Sequence, residues 1–139
     1  MLPHLKIEQG DLPEYVLFPG DPDRADRVAD KMSSPSVLAK NREYKSIVGT
    51  FEGTEVGVVS AGIGAPGAAI AYEEAIKAGA GVLIRIGTTG SLNRELVDSG
   101  ELVVVQSAVR DEGLSRQHMP LEVPAVASLD VTNALIVTA

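Results

Sequence analysis

Apolar and polar positions follow two different periods along this chain. Tyr15 to Phe18 is a short apolar run, the pattern of a buried strand. Just after it, Ala25, Val28, Ala29 and Met32 recur at helical spacing, which predicts a helix over 22–32 with one apolar face. Asp21 is a good N-cap for that helix. Pro22 stands at its first position, where a missing N–H is no loss. Ser33-Ser34-Pro35-Ser36 reads as a loop and Val37 to Ala39 as a short strand. Ser46 to Phe51 and Glu55 to Ala61 read as paired strands around the turn Glu52-Gly53. A glycine-rich stretch, Gly62 to Gly67, leads into a helix over 68–78, with Gly79 as its stop. Glu73 and Lys77 form an i,i+4 pair on its wet side. Val82 to Ile86 and Glu101 to Gln106 are the next strands expected. Residues 107–124 lack a clean period and read as a long loop or irregular strand. Ser128 then opens a helix with Val131, Ala134 and Leu135 on its apolar side. Residues 1–14, interrupted by Pro3 and Pro13, form an N-terminal arm.

Strands alternating with helices imply an α/β fold, three-layer α/β/α with a central mixed β-sheet. The hairpin at Glu52-Gly53 makes the sheet mixed rather than purely parallel. The expectation is a single α/β domain over 1–139. Because the last helical pattern runs to the final residue without Gly, Pro or a basic last turn, the chain reads as the N-terminal portion of a longer domain.

Composition narrows the chemistry. The chain has 139 residues, 45% of them hydrophobic, enough for a real core. No cysteine is present, so disulfides and thiolate metal sites are excluded. His4 and His118 stand far apart, without metal-ligand spacing. A net charge of −7 repels nucleic acid and anionic membranes. No segment has the length of a membrane span or the pattern of a secretory leader, so the expected location is cytoplasmic.

In so acidic a chain, an anion site must be built locally. Gly20 lets the backbone approach a ligand at a strand-to-helix turn, where free amides and the helix dipole favour negative charge. Arg24, on the first helical turn, adds a planar charged fork. Arg85 stands in an otherwise apolar strand. A buried arginine there would need an anion, either a ligand or a carboxylate such as Glu43 or Glu73. Gly20, Arg24, Arg85 and Thr88 all fall at or beyond the carboxyl ends of predicted strands, the edge where open α/β sheets bind ligands. Thr88, Thr89 and Gly90 offer hydroxyls and free backbone. Clustered arginines and hydroxyls without a Walker lysine suit inorganic phosphate or a phosphomonoester. A second candidate is Gly62-x-Gly64-x-x-Gly67, which follows a strand and opens a helix as a dinucleotide fingerprint does. Two features oppose it: the next strand ends Arg85-Ile86-Gly87-Thr88 with no acid for a ribose, and Pro66 stiffens the turn.

Phe18-Pro19-Gly20-Asp21-Pro22-Asp23-Arg24, Asn41-Arg42-Glu43-Tyr44, Ser60 to Pro66 and Ile84 to Gly90 together resemble the nucleoside phosphorylase-I family. Thr88-Thr89 and the stretch from Val109 through Pro120 to Ala127 are most similar to its uridine phosphorylases; hexameric purine enzymes usually carry Ser-Cys or similar at the threonine pair. The resemblance implies a pentosyltransferase: a nucleoside and phosphate give a free base and ribose 1-phosphate. It assigns phosphate to Gly20, Arg24, Arg42, Arg85 and Thr88, with Arg85 and Arg24 as the catalytic pair. Arg42 would serve a neighbouring subunit's phosphate, and His4 that neighbour's ribose 5′-hydroxyl. Thr88, Thr89 and Gly90 would face the nucleoside. No cofactor is implied, phosphate being a substrate, although Glu43 and the Ile63 carbonyl match a potassium site whose serine ligand is Gly67 here. Dimers building a hexamer are implied as well. Purine nucleoside phosphorolysis and the dinucleotide-binding oxidoreductase are the alternatives. Residues for the base and the ribose 2′- and 3′-hydroxyls would lie beyond residue 139, so these residues alone are expected to turn over no nucleoside.

Overall fold

The side chains of alternate strand residues point to opposite faces, and that alternation divides the core of this protein in two. The computed structural model describes residues 1–139. They form two compact units, Met1–Thr88 and Thr89–Ala139.

In the first unit, β1 (Tyr15–Pro19) leads into α1 (Pro22–Ala29). The Asp21 carboxylate accepts a hydrogen bond from the Asp23 amide at 3.0 Å, so it caps α1 as expected. The helix ends three residues before Met32, which follows it in a turn. β2 (Ser33–Asn41) and β3 (Tyr44–Phe51) pair antiparallel, and β3 pairs antiparallel with β4 (Thr54–Val59) across the turn at Glu52-Gly53. α2 (Ala65–Lys77) then crosses over to β5 (Val82–Ile86). The sheet order is β2-β3-β4-β1-β5, with β1 parallel to both β4 and β5.

Two expectations need correction here. Residues 33–36 are strand, not loop: β2 lies at the sheet edge, where one side of the ladder is empty, Pro35 needs no partner for a missing N–H, and register shifts absorb the irregularity. α2 starts at Ala65, and Pro66 sits within its first turn, where proline favours the helix instead of stiffening the loop against it.

On one face of the sheet, Val16, Phe18, Tyr44, Val59 and Ala61 pack with Ala71 and Ala75 of α2 and with Leu2, Leu5, Ile7 and Leu12 of the N-terminal arm. On the other, Ile47 and Val58 pack with Ala25 and Ala29 of α1. This is the three-layer mixed arrangement the alternation predicts. The arm is held by a buried carboxylate. Glu74 of α2 accepts from the His4 amide at 3.1 and 3.0 Å, from the Leu5 amide at 2.8 Å, and bonds the His4 ring Nδ1 at 2.6 Å. Burial pushes this carboxyl up, but the bonds from Leu5 and His4 outweigh it and leave it below the ordinary 4.5. A carboxyl depressed on folding stabilises the fold fully above its unfolded value and loses that contribution as pH falls through its folded one. Stability should therefore decline from about pH 4.5 downward. Urea midpoints at pH 7 and pH 4 should differ less in Glu74→Gln than in the parent, since the variant has no carboxyl to titrate.

The second unit contains β6 (Ser107–Ala108), α3 (Ser115–His118), β7 (Ala125–Val126) and α4 (Leu129–Thr138). Residues 101–106 form no strand, contrary to the sequence pattern; an apolar run without a ladder partner is not a strand, and the pairing falls instead at Ser107 and Ala108 against Val126 and Ala125. The irregular stretch is wound around Arg110, whose guanidinium donates to the Ser115 hydroxyl and to the carbonyls of Ser115, Met119, Pro120 and Val123 at 2.6–3.0 Å. Glu112 accepts from the Leu114 and Ser115 amides, and the bonds from Ser115 hold its carboxyl below the usual range. No helix of either unit is long and apolar enough to cross a membrane.

Candidate anion-binding cleft

β1 and β5 are parallel neighbours, so their carboxyl ends open onto the same edge, and the β4–α2 loop joins them there. Ala61 N–H donates to the Pro19 carbonyl at 2.8 Å and Gly62 N–H to the Gly20 carbonyl at 3.0 Å, which extends the pairing of these segments past the strand ends. The result is a cleft of about 760 Å³ lined by Gly20, Asp21, Pro22, Arg24, Glu43, Gly62, Ile63, Gly64, Arg85, Gly87 and Thr88. Gly20, Arg24, Arg85 and Thr88, separated by up to sixty-eight positions in sequence, thus meet on one wall-to-wall surface with Glu43 and Ile63.

Two glycines let the chain pass close to side chains of the cleft. A Cβ on Gly20 would lie 3.2 Å from Nη2 of Arg85, a tight contact that the guanidinium would have to relieve by shifting a few tenths of an ångström. Gly62 adopts φ +70°, and a Cβ there would stand 2.7 Å from Cγ of Glu43.

Arg85 corrects the sequence reading in one respect. It is exposed, not buried, and no carboxylate pairs with it: the ion pairs of the molecule are Met1–Glu8, His4–Glu74, Lys45–Asp26 and Lys77–Glu73. Its Nη1 donates to the Phe18 carbonyl at 3.1 Å and to the Ile86 carbonyl, which fixes the guanidinium at the rim while leaving its charge uncompensated. Arg24 likewise pairs with no carboxylate, and the Asp21 side chain in the same cleft accepts from the Asp23 amide. Two guanidiniums outside any ion pair thus line one cleft together with Asp21 and Glu43, in a chain of net charge −7.

Tyr72 lies outside the cleft lining but close to Arg85. Its ring packs edge-on against Phe18, centroids 4.9 Å apart. Burial raises its phenol, and the neighbouring Arg85 charge pulls it part of the way back. Tyr44, the buried residue after Glu43, donates to the Gly67 carbonyl at 3.1 Å and is raised by burial first and by Glu43 second. The spacing of Tyr72 from Ala68 and Ala75 was the only available signal, and it announces core packing rather than a site.

The remaining candidates lie outside the cleft lining. Arg42 is exposed in the β2–β3 turn at φ +55°. His4 is in the arm, bound to Glu74. Thr89 and Gly90 follow Thr88 as the first residues of the second unit.

The family model described as Phosphorylase superfamily matches residues 14–137. A guanosine phosphorylase of Halorubrum lacusprofundi is 40% identical over 134 residues, 96% of this chain and 55% of its own. A uridine phosphorylase of Thermococcus kodakarensis is 41% identical over 133 residues, 96% of this chain and 48% of its own. The crystal structure of a purine nucleoside phosphorylase from Toxoplasma gondii, in complex with immucillin-H, superposes with a TM-score of 0.96 at 37% identity, covering all of this chain and 56% of that one. The chain thus spans about half the length of the curated relatives it matches.

Proposed function

This chain belongs to the phosphorylase superfamily, and from that premise we propose that its cleft holds the orthophosphate of a nucleoside phosphorolysis. The observation that carries the reading is the pair of unpaired guanidiniums, Arg24 and Arg85, lining one cleft with Gly20 and Thr88. Orthophosphate attacks C1′ of the nucleoside; the C1′–O bond forms as the C1′–N bond breaks, and the bonding electrons leave with the base. No protein nucleophile is required. The arginines and the Thr88 hydroxyl fix the dianion against the sugar, which converts a bimolecular encounter into a positioned one. The held anion also stabilises the positive charge developing on the ribose.

Uridine is the favoured nucleoside, on the Thr88-Thr89 pair and the 109–127 stretch. Guanosine and other purine nucleosides are the second reading, because relatives of both kinds align over the same residues at 40–41% identity. Both leave the dinucleotide alternative without support: the glycines of 62–67 are those of this cleft and of the start of α2. Assaying base release from uridine, inosine, guanosine and adenosine, with and without phosphate, tests the reading on the complete protein that contains these residues. Phosphate-dependent release of uracil should exceed that of any purine. Release that ignores phosphate would defeat phosphorolysis altogether.

Arg42 and His4 fit this function in an assembly. Both lie on the molecule's surface outside the cleft, as residues offered to a neighbouring copy would. We therefore read the active unit as a dimer, with hexamers built from it. Glu43 and Ile63 line the same cleft, and the Glu43 carboxylate and the Ile63 carbonyl are the two ligands this chain would give a potassium ion. Gly67 brings no side-chain oxygen, and its carbonyl is already engaged by Tyr44. Such an ion would neutralise Glu43 and brace the loop.

A further inference from the structure

His4 is bonded at every polar atom but one. Its amide donates to both oxygens of Glu74, its carbonyl accepts from Nδ2 of Asn41 at 2.7 Å, and its Nδ1 meets Oε1 of Glu74 at 2.6 Å. Only Nε2 is left. The side chain of His4 is 44% exposed while that of Glu74 is 7% exposed, so the buried carboxylate grips an imidazole whose outer edge is open.

A carboxylate can only accept hydrogen bonds. The proton shared with Glu74 therefore sits on Nδ1, and in the neutral ring the lone pair sits on Nε2. The His4 and Leu5 amides already tie the arm to Glu74 through the backbone. The additional ring bond sets the direction and tautomer of a surface histidine, which the core does not require.

The geometry points to Glu74 as a positioning residue that presents Nε2 of His4 as a hydrogen-bond acceptor for a hydroxyl of the nucleoside. This rests on the phosphorolysis reading above and on His4 serving a nucleoside there. The hydroxyl is the one the resemblance gives to His4; what the structure adds is the buried carboxylate that orients the ring toward it.

The test is a substrate cycle on the complete protein, with uridine and 5′-deoxyuridine, or the matching purine pair if the panel above selects purines. Gln at position 74 can both accept from and donate to Nδ1, so Glu74→Gln releases the tautomer while keeping the shape. With the hydroxylated nucleoside, Glu74→Gln should lower kcat/KM about three- to tenfold, mostly through KM, the range one hydrogen bond spans. With the 5′-deoxy analogue the variant and parent should agree within about twofold, because no contact remains to lose. Nitrogen NMR of the His4 ring should find Nε2 unprotonated in the parent and a mixture in Glu74→Gln. Equal losses on both substrates, a parent ring protonated on both nitrogens, or a neutral parent ring split equally between Nδ1–H and Nε2–H, overturn the inference. If His4→Ala costs nothing on either substrate, His4 does not touch the nucleoside and the acceptor role falls with it. If uridine and purines are all inert, the phosphorolysis reading fails instead, and the NMR result alone then tells whether Glu74 fixes the ring.

Discussion

Arg85→Ala is expected to lower phosphate-dependent turnover about 10²- to 10³-fold, the loss that follows removal of one preorganised donor from a charged transition state. The fold should survive. Arg85 is exposed and holds no carboxylate, so its removal strands no buried charge. It frees the carbonyls of Phe18 and Ile86 at the open end of the sheet, where water can replace it. Unfolding should therefore shift by no more than about 1 kcal/mol. Arg85→Lys keeps the charge but not the planar fork, and should recover only part of the rate. Steady-state rates at saturating and limiting phosphate, with a denaturation curve for each variant, check all of this. If Arg85→Ala retains its rate and loses its stability, the guanidinium was a rivet between β1 and β5 and the cleft is not a phosphate site.

That outcome bears on what the sequence could disclose. The cleft was legible because each contributor carries a local signature. Asp21-Pro22 is a helix start, Gly20 stands before it, and Arg85 interrupts an apolar strand. Strand ends of a parallel sheet fall on one edge by topology, so three local signals sum to one site. The side-chain environment was not legible. Arg85 was expected to be buried because its neighbours are apolar, yet β5 is the last strand of the sheet and its residue 85 faces outward. The same logic hid β2: an edge strand tolerates Pro35 and exposed serines that a central strand would reject. Glu101 to Gln106 erred in the opposite direction, with the right residues and no partner. Glu74 was invisible for a different reason. It neighbours Glu73, which does pair with Lys77 at 3.9 Å as its spacing predicts. Nothing in a helical pattern says that the next residue turns inward to receive a segment seventy positions away.

The N-terminal arm makes that point in energetic terms. Gly79→Ala should cost the protein about 3 kcal/mol, or about 10 °C in Tm, more than any other single methyl addition proposed for this surface. Gly79 ends α2 in a Schellman arrangement: its N–H reaches the Ile76 carbonyl at 3.1 Å and the Ala80 N–H reaches Ala75 at 3.0 Å. Its φ of +120° lies outside even the left-handed helical region, so alanine is strained there before any contact is counted. A Cβ would also stand 2.6 Å from the Leu12 carbonyl oxygen, a backbone atom that cannot swing aside. Leu12 is held there because the amides of Gly10 and Leu12 both donate to the Ala78 carbonyl, at 2.9 and 3.0 Å. The methyl would therefore push the arm off α2 and uncover Leu5, Ile7 and Leu12, which it buries against Ala75 and Ala78. Gly53→Ala is the control. It has φ +84° but nothing within 4 Å of its Cβ, so it carries the backbone strain without the collision and should cost about 1 kcal/mol. Urea unfolding of the two variants separates the terms. Equal losses at the two glycines would mean that the arm yields freely, and with it the claim that Glu74 holds His4 in one place.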